Sequence, residues 1–353
     1  MNRGQVGACA DGAVGQRPVA NTGALPKLAP EMTSIEGSSS SQPGRERGVR
    51  GPEHVGKASQ KGAAPLVAGN PASGWGAAGA SEYAHVAAFA LDHADRPGIV
   101  VALHGLTGTR AQPLSYLAGF ESPEFGVLAP DLRAHGDTAF IGNPSDFTPS
   151  QLAADVTALV RQLGLDSKRV CVVGVSLGAT VALELLRCGS LDIAAVVFIR
   201  PSHTADTASH LQVNALIASY LLEDPDSALS RLLASDEYRR VATISDSAAS
   251  GLRNKVTKPR SAERAMRLAM GAYWTAFVPG EMVKSAVPSL VVAAQNDPLH
   301  PIAVAEEWHT RIENSTLVTL PSRDDDPVAH AALTRSAVQG FILDLTSRGV
   351  RPQ

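Results

Sequence analysis

Six short apolar runs, set between longer amphipathic stretches, place the strictest limit on what this chain can fold into. They occupy residues 99–103, 126–129, 170–173, 194–199, 289–294 and 315–320. The first reads Ile99-Val100-Val101-Ala102-Leu103 and the third Val170-Cys171-Val172-Val173. A strand with one wet face alternates polar and apolar residues. A near-continuous apolar run rich in β-branched side chains is what a strand needs when helices cover both its faces. The stretches between the runs carry apolar residues at helical spacing. One opens with Thr148-Pro149-Ser150-Gln151, which reads as a capping box with Thr148 at N-cap, Pro149 at N1 and Gln151 at N3. It continues through Leu152, Val156, Leu159 and Val160 on one face. Strands alternating with helices predict an α/β fold, a mostly parallel central sheet with helices on both faces.

The alternation stops between residues 201 and 282, which read mostly helical, for example over 216–222 and 262–270. Roughly 80 residues exceed a simple crossover. The segment is expected to form a helical cap insertion over the C-terminal edge of the sheet, where open α/β sheets place their ligands. The first 80 residues differ from all the rest. They hold 15 of the 31 glycines, one aromatic (Trp75), and eight basic against five acidic side chains. Such a composition cannot bury enough apolar surface to offset the entropy of ordering it. A disordered low-complexity tail over 1–80 and a folded domain over 81–353 are therefore expected.

Balance of charge excludes several function classes. Lys plus Arg number 31 against 34 Asp plus Glu, so there is no electrostatic footprint for nucleic acid and no basic surcharge for an anionic membrane. Cys9, Cys171 and Cys188 are too few and too scattered for a disulfide framework or a zinc site. No apolar run reaches the roughly 18 residues that span a bilayer, and the first residues lack the apolar stretch of a secretory signal. A cytoplasmic protein without metal or organic cofactor, acting on a small molecule, is expected.

The strongest chemical signal is Gly174-Val175-Ser176-Leu177-Gly178, lying between the run that ends at Val173 and a helical stretch from Ala179. A strand that turns straight into a helix leaves its middle residue in a strained conformation and needs small neighbours on both sides. Ser176 would project its hydroxyl at the top of the sheet, at a helix N-terminus that favours developing negative charge. A serine nucleophile needs donors for the oxyanion. The N–H of Leu177 is one. The N–H of Leu106, in the Leu103-His104-Gly105-Leu106 turn after the first run, is the other. His104 itself is read as holding that loop by hydrogen bonds.

With these features the chain resembles the α/β-hydrolase superfamily over residues 82–347. The His-Gly turn, the segment Asp131-Leu132-Arg133-Ala134-His135-Gly136-Asp137-Thr138 and the Ser176 elbow fall in that family's order. The Asp131 segment is similar to a structural turn of the family, with Ala134 where the pattern has Gly and Thr138 where it has Ser. The resemblance implies a Ser-His-Asp triad. It places the acid at Asp297, in Asn296-Asp297-Pro298-Leu299-His300-Pro301 after a late strand, with Asn296 and Asp192 as weaker alternatives. It places the base at His330, after the last strand, although many members carry a Gly-His pair where this chain has Ser322-Arg323-Asp324-Asp325. His300 reads as too near Asp297 in the chain to reach Ser176, and His309 as a surface residue of a helix. Tyr220, Tyr273 and Trp274 are candidates to line the substrate pocket beneath the cap. The expected function is a serine hydrolase acting on a carboxylic ester or related acyl compound. A lactonase, thioesterase, amidase, acyltransferase or cofactor-free perhydrolase on the same fold, or a non-catalytic ligand-binding homologue, are the alternatives.

Overall fold

In the computed structural model, which describes residues 79–138, 146–206 and 208–347, each of the six apolar runs is a strand. A seventh precedes them. In chain order the strands are β1 (Phe89–Asp92), β2 (Gly98–Leu103), β3 (Phe125–Pro130), β4 (Arg169–Val175), β5 (Ile193–Ile199), β6 (Ser289–Ala294) and β7 (Ser315–Leu320). They form one sheet in the order β1-β3-β2-β4-β5-β6-β7. Only β1 runs antiparallel, against β3. It is four residues long and mostly half-buried, too short to show a period in the sequence.

The helices are α1 (Ala80–Val86), α2 (Ala111–Tyr116), α3 (Pro149–Gln162), α4 (Leu177–Cys188), α5 (Gln212–Glu223), α6 (Ala228–Ala234), α7 (Asp236–Ile244), α8 (Asp246–Thr257), α9 (Ser261–Gly271), α10 (Ile302–Arg311) and α11 (Pro327–Ser347). Successive residues of β2 enter two different cores. Ile99, Val101 and Leu103 pack with Val156 of α3, Val181 of α4 and Trp308 of α10. Val100 and Ala102 pack with Val338 and Ile342 of α11 on the other face. This two-sided burial is why the central strands read as unbroken apolar runs. Half of the capping box forms: Thr148 Oγ1 accepts from Gln151 N–H at 3.2 Å. The Gln151 side chain does not reach back, because its Nε2 donates to Asp155 Oδ1 at 2.9 Å.

The tail expected over residues 1–80 lies outside the described residues except for Gly79 and Ala80, which open α1. Helices α5 to α9 fill the interval between β5 and β6. They share a core of their own, built from Ile217, Leu221, Leu232, Leu252 and Leu268. Leu106 and Leu299, from loops at the sheet's C-terminal edge, pack into that core. No helix among the described residues is long and apolar enough to cross a membrane.

Candidate active site

The parallel pairing of β2 with β4, with Leu103 opposite Gly174, brings the ends of these strands side by side. The loops that follow, one with Leu106 and one with Ser176, therefore emerge together at the point where the sheet order reverses. Ser176 sits between β4 and α4 with φ 52° and ψ −107°, a conformation that costs an L-residue of order 1–3 kcal/mol and persists only where the surroundings enforce it. The two glycines do enforce it. A Cβ on Gly174 would lie 2.2 Å from Gly178 O, and one on Gly178 would lie 2.4 Å from Leu103 O. Both neighbours are backbone and cannot rotate away. Gly178→Ala is thus expected to destabilise the protein by about 3 kcal/mol, measurable as a lowered urea midpoint. An unchanged midpoint would contradict the packing of this turn.

Among the described residues, neither Leu106 N–H nor Leu177 N–H donates a hydrogen bond, and both residues line the cavity above Ser176. His104 is structural. Its Nε2 accepts from Leu132 N–H at 2.9 Å, which leaves Nδ1 to donate to Gly105 O at 2.9 Å. Burial pushes its pKa down to about 4. The Asp131 segment is structural too. Asp131 accepts from the N–H groups of Arg110 and Asp137, and Ala134 takes φ +62°, the left-handed conformation that glycine adopts without cost.

The histidine beside Ser176 is not the expected one. His300 Nε2 lies 3.0 Å from Ser176 Oγ, and His300 Nδ1 lies 2.9 Å from Asp297 Oδ2. The backbone explains how a histidine three residues from the acid can do this. Asp297 Oδ1 accepts from the N–H groups of both Leu299 and His300, each at 3.1 Å, and folds the chain back on itself as an Asx turn. The imidazole then lies beside the carboxylate and still faces the elbow, while Leu299 anchors the turn in the cap core. Burial opposes ionisation of Asp297, but His300, Arg200 and the Leu299 N–H outweigh it and hold its carboxyl far below the usual range. With Asp297 ionised, Nδ1 is the protonated nitrogen, and Nε2 is free to accept the Ser176 proton.

His330 is not brought to Ser176. It lies in the first turn of α11, nearly fully buried, with Nδ1 3.0 Å from Pro321 O. The loop between β7 and α11 gives the cavity Arg323 and Asp324 instead. His309 is a surface residue of α10, 2.9 Å from Ser315 Oγ. Asp192 precedes β5, at the opposite end of the sheet from Ser176. Asn296 lines the cavity beside Asp297.

A family model described as "Alpha/beta hydrolase family" matches residues 100–338. The chain belongs to that family. No curated protein sequence matches significantly. Among solved structures, the chain is similar in fold to a thermophilic esterase from Thermogutta terrifontis, at 19% identity over 73% of this chain and 93% of that one, with a TM-score of 0.56. It is also similar to MenH from S. aureus, at 15% identity over 74% and 98%, TM-score 0.54. A third likeness is to 2-hydroxy-6-oxo-6-phenylhexa-2,4-dienoate hydrolase from Rhodococcus sp. strain RHA1, at 17% over 74% and 94%, TM-score 0.54.

In this alpha/beta hydrolase the site opens into a cavity of about 370 Å³ between the sheet edge and the cap. Trp274 lines it, held at 5.1 Å from the Phe147 ring and 5.7 Å from the His203 ring. The other two aromatic candidates do not. Tyr273 is 45% exposed. Tyr220 packs within the cap, with the Arg231 guanidinium 4.1 Å above its ring. Tyr220 faces the cap's own core from α5, and Tyr273 lies in the turn after α9, outside any helix.

Several site residues escaped the sequence reading. Arg200, at the end of β5 with φ +48°, pairs with Asp297 at 3.3 Å. Ser202 Oγ lies 3.3 Å from Ser176 Oγ. His203 stays neutral, its pKa pushed down to about 4 by burial. It bridges Thr180 Oγ1 of α4 and Gly271 O of α9, tying elbow to cap. Residues of this kind carry no local motif. The one signal for His300 was the missing histidine at Ser322-Arg323-Asp324-Asp325.

Proposed function

We propose that this alpha/beta hydrolase is a serine hydrolase that cleaves a carboxylic ester or related acyl compound, with Ser176 as nucleophile, His300 as base and Asp297 as its orienting acid. The observation that carries this reading is the unbroken relay from Ser176 Oγ to His300 Nε2 and from His300 Nδ1 to Asp297 Oδ2, at 3.0 and 2.9 Å. Ser176 Oγ attacks the carbonyl carbon as its proton passes to His300 Nε2. The ionised Asp297 holds the imidazole's tautomer and stabilises the imidazolium that forms. Leu106 and Leu177 N–H groups supply two donors to the oxyanion. His300 then protonates the leaving alcohol, leaving an acyl group on Ser176. Water deprotonated by His300 attacks that acyl-enzyme and frees the acid and the serine.

The test is covalent labelling by a fluorophosphonate, read by intact mass. One adduct on the wild type and none on Ser176→Ala is expected. An adduct on both would remove Ser176 from the mechanism. Trp274 fills part of the cavity wall, so Trp274→Ala is expected to shift the preferred acyl chain toward longer 4-nitrophenyl esters. An unchanged chain-length profile would exclude it from the substrate pocket.

A further inference from the structure

The cavity above Ser176 carries charge of the sign opposite to the chain's own. The sequence has a net charge of −3, yet Arg200, Lys255, Lys258 and Arg323 line this cavity against two carboxylates, Asp297 and Asp324. Both carboxylates are engaged, Asp297 by His300 and Arg200 and Asp324 by the Ser247 N–H at 2.7 Å. Lys258 and Arg323 are exposed to water. Lys255 is different. It projects from α8, half-buried, and its Nζ donates to Asn214 Oδ1 of α5 at 2.8 Å. Asn214 is itself buried and lines the same cavity. The acid that acts on Lys255 is Asp297, whose charge is already shared by His300 and Arg200.

An ammonium has three donors, and a neutral amide oxygen accounts for one. Burial lowers the Lys255 pKa to about 8, only partly countered by Asp297. A desolvated cation of this kind is completed by an anion, and the open side of Lys255 is the substrate cavity. We propose that Lys255, held by Asn214, binds a carboxylate carried by the substrate, so that the esters cleaved are acidic ones. This rests on the hydrolase reading above, which supplies the ester.

The test uses the full chain and three probes: 4-nitrophenyl butyrate, mono-4-nitrophenyl glutarate with its carboxylate on the acyl side, and 4-acetoxybenzoate with its carboxylate on the leaving group. The wild type is expected to favour one of the two acidic esters over the neutral one in kcat/KM, chiefly through KM. Lys255→Met is expected to reduce that acidic-to-neutral ratio about 10- to 100-fold, the size of one charge-assisted hydrogen bond. The wild-type ratio should also fall as pH rises through about 8, where Lys255 gives up its proton. The other ionisable groups lining the cavity, namely Arg200, His203, Lys258, Asp297, His300, Arg323 and Asp324, stay in place in Lys255→Met, so the change in the ratio and in its pH dependence between wild type and Lys255→Met reports Lys255. A wild type without preference for either acidic ester, or a ratio unmoved by Lys255→Met, overturns the proposal. A second readout does not need turnover. Glutarate should raise the melting temperature of Ser176→Ala but not of Ser176→Ala/Lys255→Met. Stabilisation of the first alone, with no ester cleaved by the wild type, would keep the anion site and discard the hydrolase. Cleavage of the butyrate with neither variant stabilised would do the reverse.

Discussion

Replacing His300 by alanine is expected to lower kcat about 10⁴-fold or more, as Ser176→Ala does, and the double variant to be scarcely slower than either single one. The imidazole bridges Ser176 Oγ and Asp297 Oδ2 at 3.0 and 2.9 Å. Removing it leaves the serine hydroxyl without that proton acceptor and Asp297, still held by Arg200, with no imidazole to orient, and groups that act as a unit lose their effect together. His330→Ala is expected to keep most of the turnover. Its cost should appear in stability instead, about 1–2 kcal/mol, because the ring is nearly fully buried and hydrogen-bonded to Pro321 O. Steady-state kinetics on 4-nitrophenyl butyrate beside urea melts separates the two. An inactive His330→Ala with an active His300→Ala would show that the relay from Ser176 runs through the other loop.

The largest effect on stability is expected from Asp155→Ala. Arg133, in the turn after β3, donates from Nε and Nη2 to the two oxygens of Asp155 on α3, both at 2.7 Å. Neither side chain has any solvent exposure. Removing the carboxylate takes both charged acceptors at 2.7 Å from a guanidinium that has no solvent exposure, a change that costs about 3–5 kcal/mol. For a folded region of this size that corresponds to a fall of about 10 °C in melting temperature. Replacing both partners by apolar side chains, as in Arg133→Met/Asp155→Leu, removes the buried charge as well and should recover much of the loss. Thermal melts of the three proteins decide it. A double variant as unstable as Asp155→Ala would assign the loss to packing around α3 instead of to the buried charge.

The central strands were legible because burial on both faces leaves no alternation to confuse with a helix. Edges were harder. β1 is too short to show a period, and its place is set by pairing with β3, which no local pattern encodes. The elbow was legible because its strain demands Gly174 and Gly178 at fixed offsets from Ser176. The place of Asp297 was legible from the run that forms β6. His300 was not, because distance along the chain is a poor guide to where a side chain points. Two N–H bonds to Asp297 Oδ1 reverse the chain within one turn and bring a near neighbour to Ser176. Tyr220 and Tyr273 were misplaced for a related reason. Composition marks them as apolar enough for a pocket, but the cap's own core claims Tyr220 and the turn after α9 leaves Tyr273 facing water.

A carboxylate and an imidazole three residues apart change the topological demand on the proposed relay. Three groups on three separate loops require two distant encounters. Here the Asp297–His300 contact is local and arises wherever the turn forms, so one encounter remains, between residues separated by 124 positions. The segment joining β7 to α11 is thereby released from holding a catalytic group. The length of that segment can vary at little entropic cost with Ser176 and His300 left in register, so long as Pro321 O still holds His330 and Asp324 the Ser247 N–H.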